Sequence, residues 1–167
     1  MKKSLLIAAI ALVCGTMAYA QPRAIGGRLG YGAEFSYEHT MDAKNMISLE
    51  VGAPGFAGLE VACTYDWIDP FNTAFPWEEK GEWHWYMGVG GAIQAPWNFK
   101  GLFLGAAGRV GVEYDFWFPL QLSFDWRPAL GVGLADNGSG GLAAGFGHDL
   151  YFGGIGLGVR YFFNQKE

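Results

Sequence analysis

Polar and apolar residues alternate with a period of two along most of the chain. That is the spacing at which successive side chains leave opposite faces of a β-strand. After Gln21 no apolar stripe keeps helical spacing. The opening stretch is the clearest, and it reads as one long strand. Ile25, Gly27, Leu29, Tyr31, Ala33, Phe35 and Tyr37 share one face, with Gly26, Arg28, Gly30, Gly32, Glu34, Ser36 and Glu38 on the other. A polar turn over 41–45 follows, then Ile47, Leu49 and Val51 alternate with Ser48, Glu50 and Gly52. Ala53-Pro54-Gly55 signals the next turn. A third strand sets Leu59, Val61, Cys63, Tyr65 and Trp67 against Glu60, Ala62, Thr64 and Asp66. A polar-aromatic loop, 69–81, separates it from a fourth, which sets Trp83, Trp85, Met87 and Val89 against His84, Tyr86, Gly88 and Gly90.

A turn around 96–101 leads to the fifth strand, where Leu102, Leu104, Val110, Val112 and Tyr114 oppose Arg109, Gly111, Glu113 and Asp115. The sixth opens with Leu120, Leu122, Phe124 and Trp126 against Gln121, Ser123, Asp125 and Arg127, until Pro128 interrupts it. Residues 135–141 read as a turn and 142–147 as a weak seventh strand. The eighth alternates Ile155, Leu157, Val159, Tyr161 and Phe163 with Gly156, Gly158, Arg160 and Phe162. The expected fold is all-β, an antiparallel up-and-down barrel of about eight strands. An even number is what returns both chain ends to one side of a membrane.

Alternation does not say which face meets solvent, but the placement of charge does. Arg28, Arg109, Arg127 and Arg160 fall on the polar faces, together with Glu34, Glu50, Glu60, Glu113 and Asp125, and Asp66 stands there too. Lys44, Lys80, Lys100 and Lys166 all lie in turns, loops or the tail. A strand face in water ordinarily carries lysine, whereas arginine among carboxylates suits a packed, ion-paired interior. On lipid, each such charge would cost ~2–4 kcal/mol near the midplane. Glycines 26, 30, 32, 88, 90, 105, 111, 156 and 158 share the charged faces. In an eight-stranded barrel, whose lumen side chains just fill, they leave room for guanidinium groups. Trp67, Trp83, Trp85, Trp97, Tyr161 and Phe163 stand near strand ends, where membrane barrels place interfacial aromatics. The charge-paired interior faces lipid-directed apolar residues in this reading. A lipocalin-like periplasmic carrier is the inside-out alternative.

Residues 1–20 read as a signal peptide. Lys2 and Lys3 precede an apolar run, and Ala18-Tyr19-Ala20 forms a cleavage site before Gln21. The barrel domain is then 21–167. Without Lys2 and Lys3, nine Lys+Arg stand against 16 Asp+Glu, a net charge of −7. An acidic exported chain is not expected to hold nucleic acid. Cys63 is the single cysteine outside the leader, so no intrachain disulfide is expected.

Three segments carry a family resemblance: Ala24-Ile25-Gly26-Gly27-Arg28-Leu29-Gly30, the run from Pro119 to Pro128, and Gly158-Val159-Arg160-Tyr161-Phe162-Phe163. With the leader, they make the chain resemble the small eight-stranded outer-membrane proteins of the OmpX and OmpA-barrel type. The resemblance implies a location in the cell outer membrane, lipid contact, and recognition of the aromatic-ended last strand by the barrel assembly machinery. It implies no activity.

The sequence offers no recognisable catalytic residue. His39, His84 and His148 form no recognisable pairing with a serine, and no G-x-S-x-G elbow is present. No two histidines share a metal-ligand spacing, and the glycine clusters are followed by no helix that would cradle phosphate. No cofactor or metal is therefore expected, although related small barrels can host lipid-modifying enzymes. His84 reads as a hydrogen-bonded lumen residue. The remaining candidate surface is loop 69–81, where Phe71, Phe75 and Trp77 would suit contact with an extracellular protein or glycan if the loop faces outward.

Overall fold

The computed structural model describes residues 23–70, 80–136, 142–149 and 154–163. They form β1 (Ala24–Gly30), β2 (Gly32–Asp42), β3 (Asn45–Pro54), β4 (Gly58–Pro70), β5 (Gly81–Pro96), β6 (Gly101–Phe116), β7 (Gln121–Trp126), β8 (Ala129–Asp136), β9 (Leu142–Asp149) and β10 (Ile155–Phe162). From β1 to β6 each segment pairs antiparallel with the next. β6 then pairs with β8 through 101–107 and with β7 through 110–115. β9 lies on β8, β10 lies on β7, and β10 closes onto β1.

Ten segments thus make a closed barrel of eight strands. β7 and β8 are one strand broken at Arg127-Pro128, and β9 and β10 are the two halves of its neighbour. Pro128 has no N–H to give the ladder. Its carbonyl still accepts from Gly108 N–H (2.9 Å), and Arg127 N–H donates to Gly154 O (2.9 Å). The strand is interrupted there, and these bonds carry the wall across the break.

Two details differ from the sequence reading. The opening stretch is a hairpin and not a single strand: Leu29 pairs with Ala33, Gly27 with Phe35 and Ile25 with Tyr37 around a tip at Tyr31. Antiparallel partners share a face, and an odd number of residues in the turn preserves parity. Alternation therefore runs through the tip unbroken. At the other end of the chain, the expected seventh and eighth strands are the two halves of one. The total remains eight, but every strand between the two differences gains one in the count. Segment 69–81 now follows the fourth strand. It leaves and rejoins the barrel at the end where Arg23 and Phe163 lie, termed the terminal end below.

The barrel carries its apolar residues outward. Leu29, Phe35, Val89, Leu104, Phe124 and Leu157 are each more than half exposed. Inward positions hold arginine, acid, serine and glutamine, with the small Ala62, Ala92 and Ala107 clustered among them. Two inward glycines are dictated by this filling. A Cβ at Gly156 would run into the Arg28 guanidinium, and one at Gly88 into the Asp66 carboxylate.

Candidate functional site

All five arginines of the sequence lie buried in the lumen. They face eight carboxylates: Glu34, Glu38, Glu50, Asp66, Glu113, Asp115 and Asp125, all buried, and the part-buried Glu60. The groups form a column along the barrel axis. Burying a lone charge is expensive, and only close partners with satisfied hydrogen bonds offset that cost.

At the end opposite the termini, Arg28 on β1 donates to Glu34 (2.9 Å), to Asp125 (2.8 Å) and to the carbonyl of Gly154 (2.6 Å). Arg127, inward in continuation of the Gln121, Ser123 and Asp125 parity, reaches Glu34 at 2.6 Å, Glu50 at 3.1 Å and also Glu60. A cavity of about 140 Å³ opens beside this cluster, lined by Tyr31, Glu60, Gln94 and Phe103 among others. In the middle, Arg109 donates to Asp66 (3.0 Å), Asp125 (3.2 Å) and the Tyr86 hydroxyl (3.3 Å). Its guanidinium also stacks 4.6 Å from the Tyr86 ring centroid. Tyr86 in turn donates to Asp125 at 3.0 Å, while Ser48 and Thr64 donate to Asp66 at 2.6 and 3.1 Å.

Toward the terminal end, Arg160 donates to Ser36 (2.8 Å), Ser123 (2.7 Å) and Gln121 (3.1 Å), and lies 3.3 Å from Glu38. Arg23 completes the column. It donates to Glu38 at 3.0 Å, to Asp115 at 3.3 Å and to Glu113, and its guanidinium lies 5.2 Å from the Phe162 ring centroid. His84 stands beside it, with Nδ1 3.4 Å from Asp115 and Nε2 3.7 Å from the exposed Glu82.

The expected interior residues Arg28, Glu34, Glu50, Glu60, Arg109, Glu113, Asp125, Arg127 and Arg160 all sit in this one network. Arg23, Glu38, Asp66, Asp115 and Tyr86 join it. Parity had already placed Glu38, Asp66, Tyr86 and Asp115 on the polar faces. Arg23 precedes the first strand and gives no parity signal. Ser36, Ser48 and Ser123 are bonded into the ion-pair network, and His39 lies stacked against Tyr37.

Trp67, Trp83, Trp85, Tyr161 and Phe163 gather toward the terminal end, where Trp83 packs on Tyr114 and Tyr161 meets Phe163 edge-on. Phe116, Trp117 and Phe118 extend the band, which the sequence reading missed. Trp97 lies at the opposite end, its indole N–H donating to Phe56 O at 2.7 Å. Phe71, Phe75 and Trp77 lie outside the described residues, as do 1–22 with the expected leader. No protein-family model, curated protein or solved structure was found to match the chain.

Proposed function

We propose that this protein is an integral outer-membrane β-barrel of the small eight-stranded type. Its closed, ion-paired interior makes it a structural or contact element and not a pore. The single observation that carries the reading is the inverted distribution of polarity. Leu157 on the outer wall is 59% exposed, while Arg160, three residues on and facing the lumen, is 1% exposed. In water, a belt of exposed leucine, valine and phenylalanine around the whole wall would far exceed the few hundred Å² of apolar patch typical of soluble monomers. Against hydrocarbon the same belt is the favourable surface, and the charges are kept away from lipid. A lipocalin-like carrier would turn apolar side chains inward around its ligand, and here the lumen is filled by guanidinium and carboxylate groups.

The aromatic band at the terminal end, with exposed Trp97 at the opposite one, supports the same placement. With the termini in the periplasm, as in bacterial single-chain barrels, segment 69–81 would emerge there. A partner for Phe71, Phe75 and Trp77 would then be a periplasmic one, in place of the extracellular protein or glycan expected from strand counting.

The test is heat-modifiability with fractionation. The full precursor is expressed in a Gram-negative host, and boiled and unboiled outer-membrane extracts are compared on a denaturing gel. Outer-membrane recovery with a mobility shift is expected. Recovery in the soluble periplasmic fraction without a shift would overturn the reading and redirect attention to a soluble carrier.

A further inference from the structure

The lumen holds more carboxylates than guanidinium groups, and at the terminal mouth three acids, Glu38, Glu113 and Asp115, stand against Arg23 and Arg160. There Arg23 alone faces Glu113 and Asp115, and it also shares Glu38 with Arg109 and Arg160. Arg23 engages one oxygen of each of the first two acids. Glu113 Oε2 and Asp115 Oδ1 remain, buried and without a hydrogen-bond partner. A buried carboxylate oxygen left in that state costs free energy until a cation or donor meets it.

The β5–β6 register sets His84 directly opposite Glu113, with Asp115 two residues along the same strand. One ligand atom from each of the three side chains lies within 4.8 Å of the others, and among the described residues this is the group of three ligand-type side chains near enough to share an ion. Ligand atoms around a tetrahedral ion at ~2.0–2.2 Å are spaced by roughly 3.5 Å. Contraction by about 1 Å, within reach of side-chain rotation, would therefore close the shell.

We propose that His84, Glu113 and Asp115 form a binding site for a divalent transition-metal cation of the zinc type, entered from the terminal mouth of the barrel. Imidazole nitrogen with two carboxylates suits such ions, whereas magnesium and calcium favour oxygen ligands throughout. The imidazole is also presented as metal-binding histidines usually are. Nδ1 faces Asp115 Oδ2 and Glu113 Oε1, the oxygens that Arg23 also engages, while Nε2 faces the Glu82 carboxylate, which would hold the ring in the required tautomer and orientation. Glu82 is largely exposed and His84 partly so, giving the ion a path from solvent. The added positive charge would offset the local acid surplus that Arg23 leaves. The site does not depend on the membrane placement, since it is built entirely within the barrel.

The test uses the full-length barrel refolded in detergent micelles and stripped with chelator. ZnCl2 is titrated by calorimetry and CoCl2 by visible absorption. One-to-one binding is expected, with a cobalt spectrum indicating nitrogen–oxygen ligation. His84→Ala should weaken zinc by at least tenfold and abolish the cobalt bands, and Glu113→Gln or Asp115→Asn should weaken it similarly. Glu82→Gln should produce a smaller loss, about tenfold at its lower limit for outer-sphere partners of a ligating histidine. His39→Ala, on the outer wall, should leave binding unchanged. The gel mobility of unboiled samples shows that each variant is folded. Absence of zinc or cobalt binding to the wild type at millimolar concentration would overturn the proposal. So would equal affinity in folded His84→Ala, or preference for CaCl2 over ZnCl2.

Discussion

Replacing Arg109 by Met should be among the most damaging single changes in the barrel wall, and the structure says where the damage falls. The guanidinium is fully enclosed and contacts Asp66 and Asp125 directly, with Glu38 and Glu50 within 3.6 Å. Three of these four acids have a second arginine: Arg28 for Asp125, Arg23 and Arg160 for Glu38, and Arg127 for Glu50. Asp66 has only the hydroxyls of Ser48 and Thr64. Arg109→Met therefore strands one buried carboxylate, and removal of one partner of a buried pair costs about 3–5 kcal/mol. If that accounting is right, Asp66→Asn should rescue the variant. The uncharged amide retains an acceptor for Ser48 and Thr64, and the double variant should recover about 2 kcal/mol relative to additivity, within the range for directly coupled residues. The assay is urea unfolding of the refolded barrel, followed by tryptophan fluorescence and by the mobility of unboiled samples. A cost below about 1 kcal/mol for Arg109→Met, or strict additivity in the double variant, would refute the picture of a lumen held by charge compensation.

Other consequences are simpler. Val89→Arg places a guanidinium on the outer wall, halfway along β5, at a residue 59% exposed. In lipid vesicles it should cost ~2–4 kcal/mol, while near-zero cost would mean that this face meets water. Gly156→Val drives a side chain into the Arg28 guanidinium. Overpacking of this kind costs about 1–3 kcal/mol, and an unchanged urea midpoint would show that Arg28 is not fixed there. Cys63, exposed on the outer wall of β4, offers a native probe once Cys14 is replaced by Ser. A spin label at Cys63 should collide with oxygen more readily than with a water-soluble nickel chelate, and the reverse order would place that wall in water.

The sequence exposed the wall well, because each side chain's face follows from parity alone. It showed equally that Arg28, Arg109, Arg127 and Arg160 belong inside, since each falls on the face opposite the large apolar residues of its strand. Parity does not report direction, however. The tip at Tyr31 leaves alternation intact, so the Gly30–Tyr31–Gly32 triplet was the local sign of a turn in an otherwise seamless pattern. The broken last strand is the converse case, where the alternation lapses between 147 and 155 and two halves look like two strands. The grouping of His84 with Glu113 and Asp115 was not legible at all. It depends on the inter-strand register, and no spacing along the chain encodes which residues of β5 and β6 stand opposite each other. Arg23 was hidden because it enters the lumen from outside the ladder.

The seam between β1 and β10 sets the order in which this molecule can be built. Every other connection in the wall is a hairpin or a continuation, closed cheaply between sequence neighbours. The seam joins the two ends of the barrel, and its interior bonds span the longest separations: 124 residues from Arg160 to Ser36 and 126 from Arg28 to Gly154. Contacts of such high order form late, because the loop entropy they require is lost before they reward it. Until they form, the chain is a curled sheet with an edge at each side and five guanidinium groups on its concave face. Such a sheet cannot enter hydrocarbon piecemeal, since both its free edges and its uncompensated charges would be unsatisfied there. For a bilayer-resident barrel of this composition, closure and insertion are therefore one kinetic event. Variants that weaken the seam should accumulate at the membrane surface and not within it.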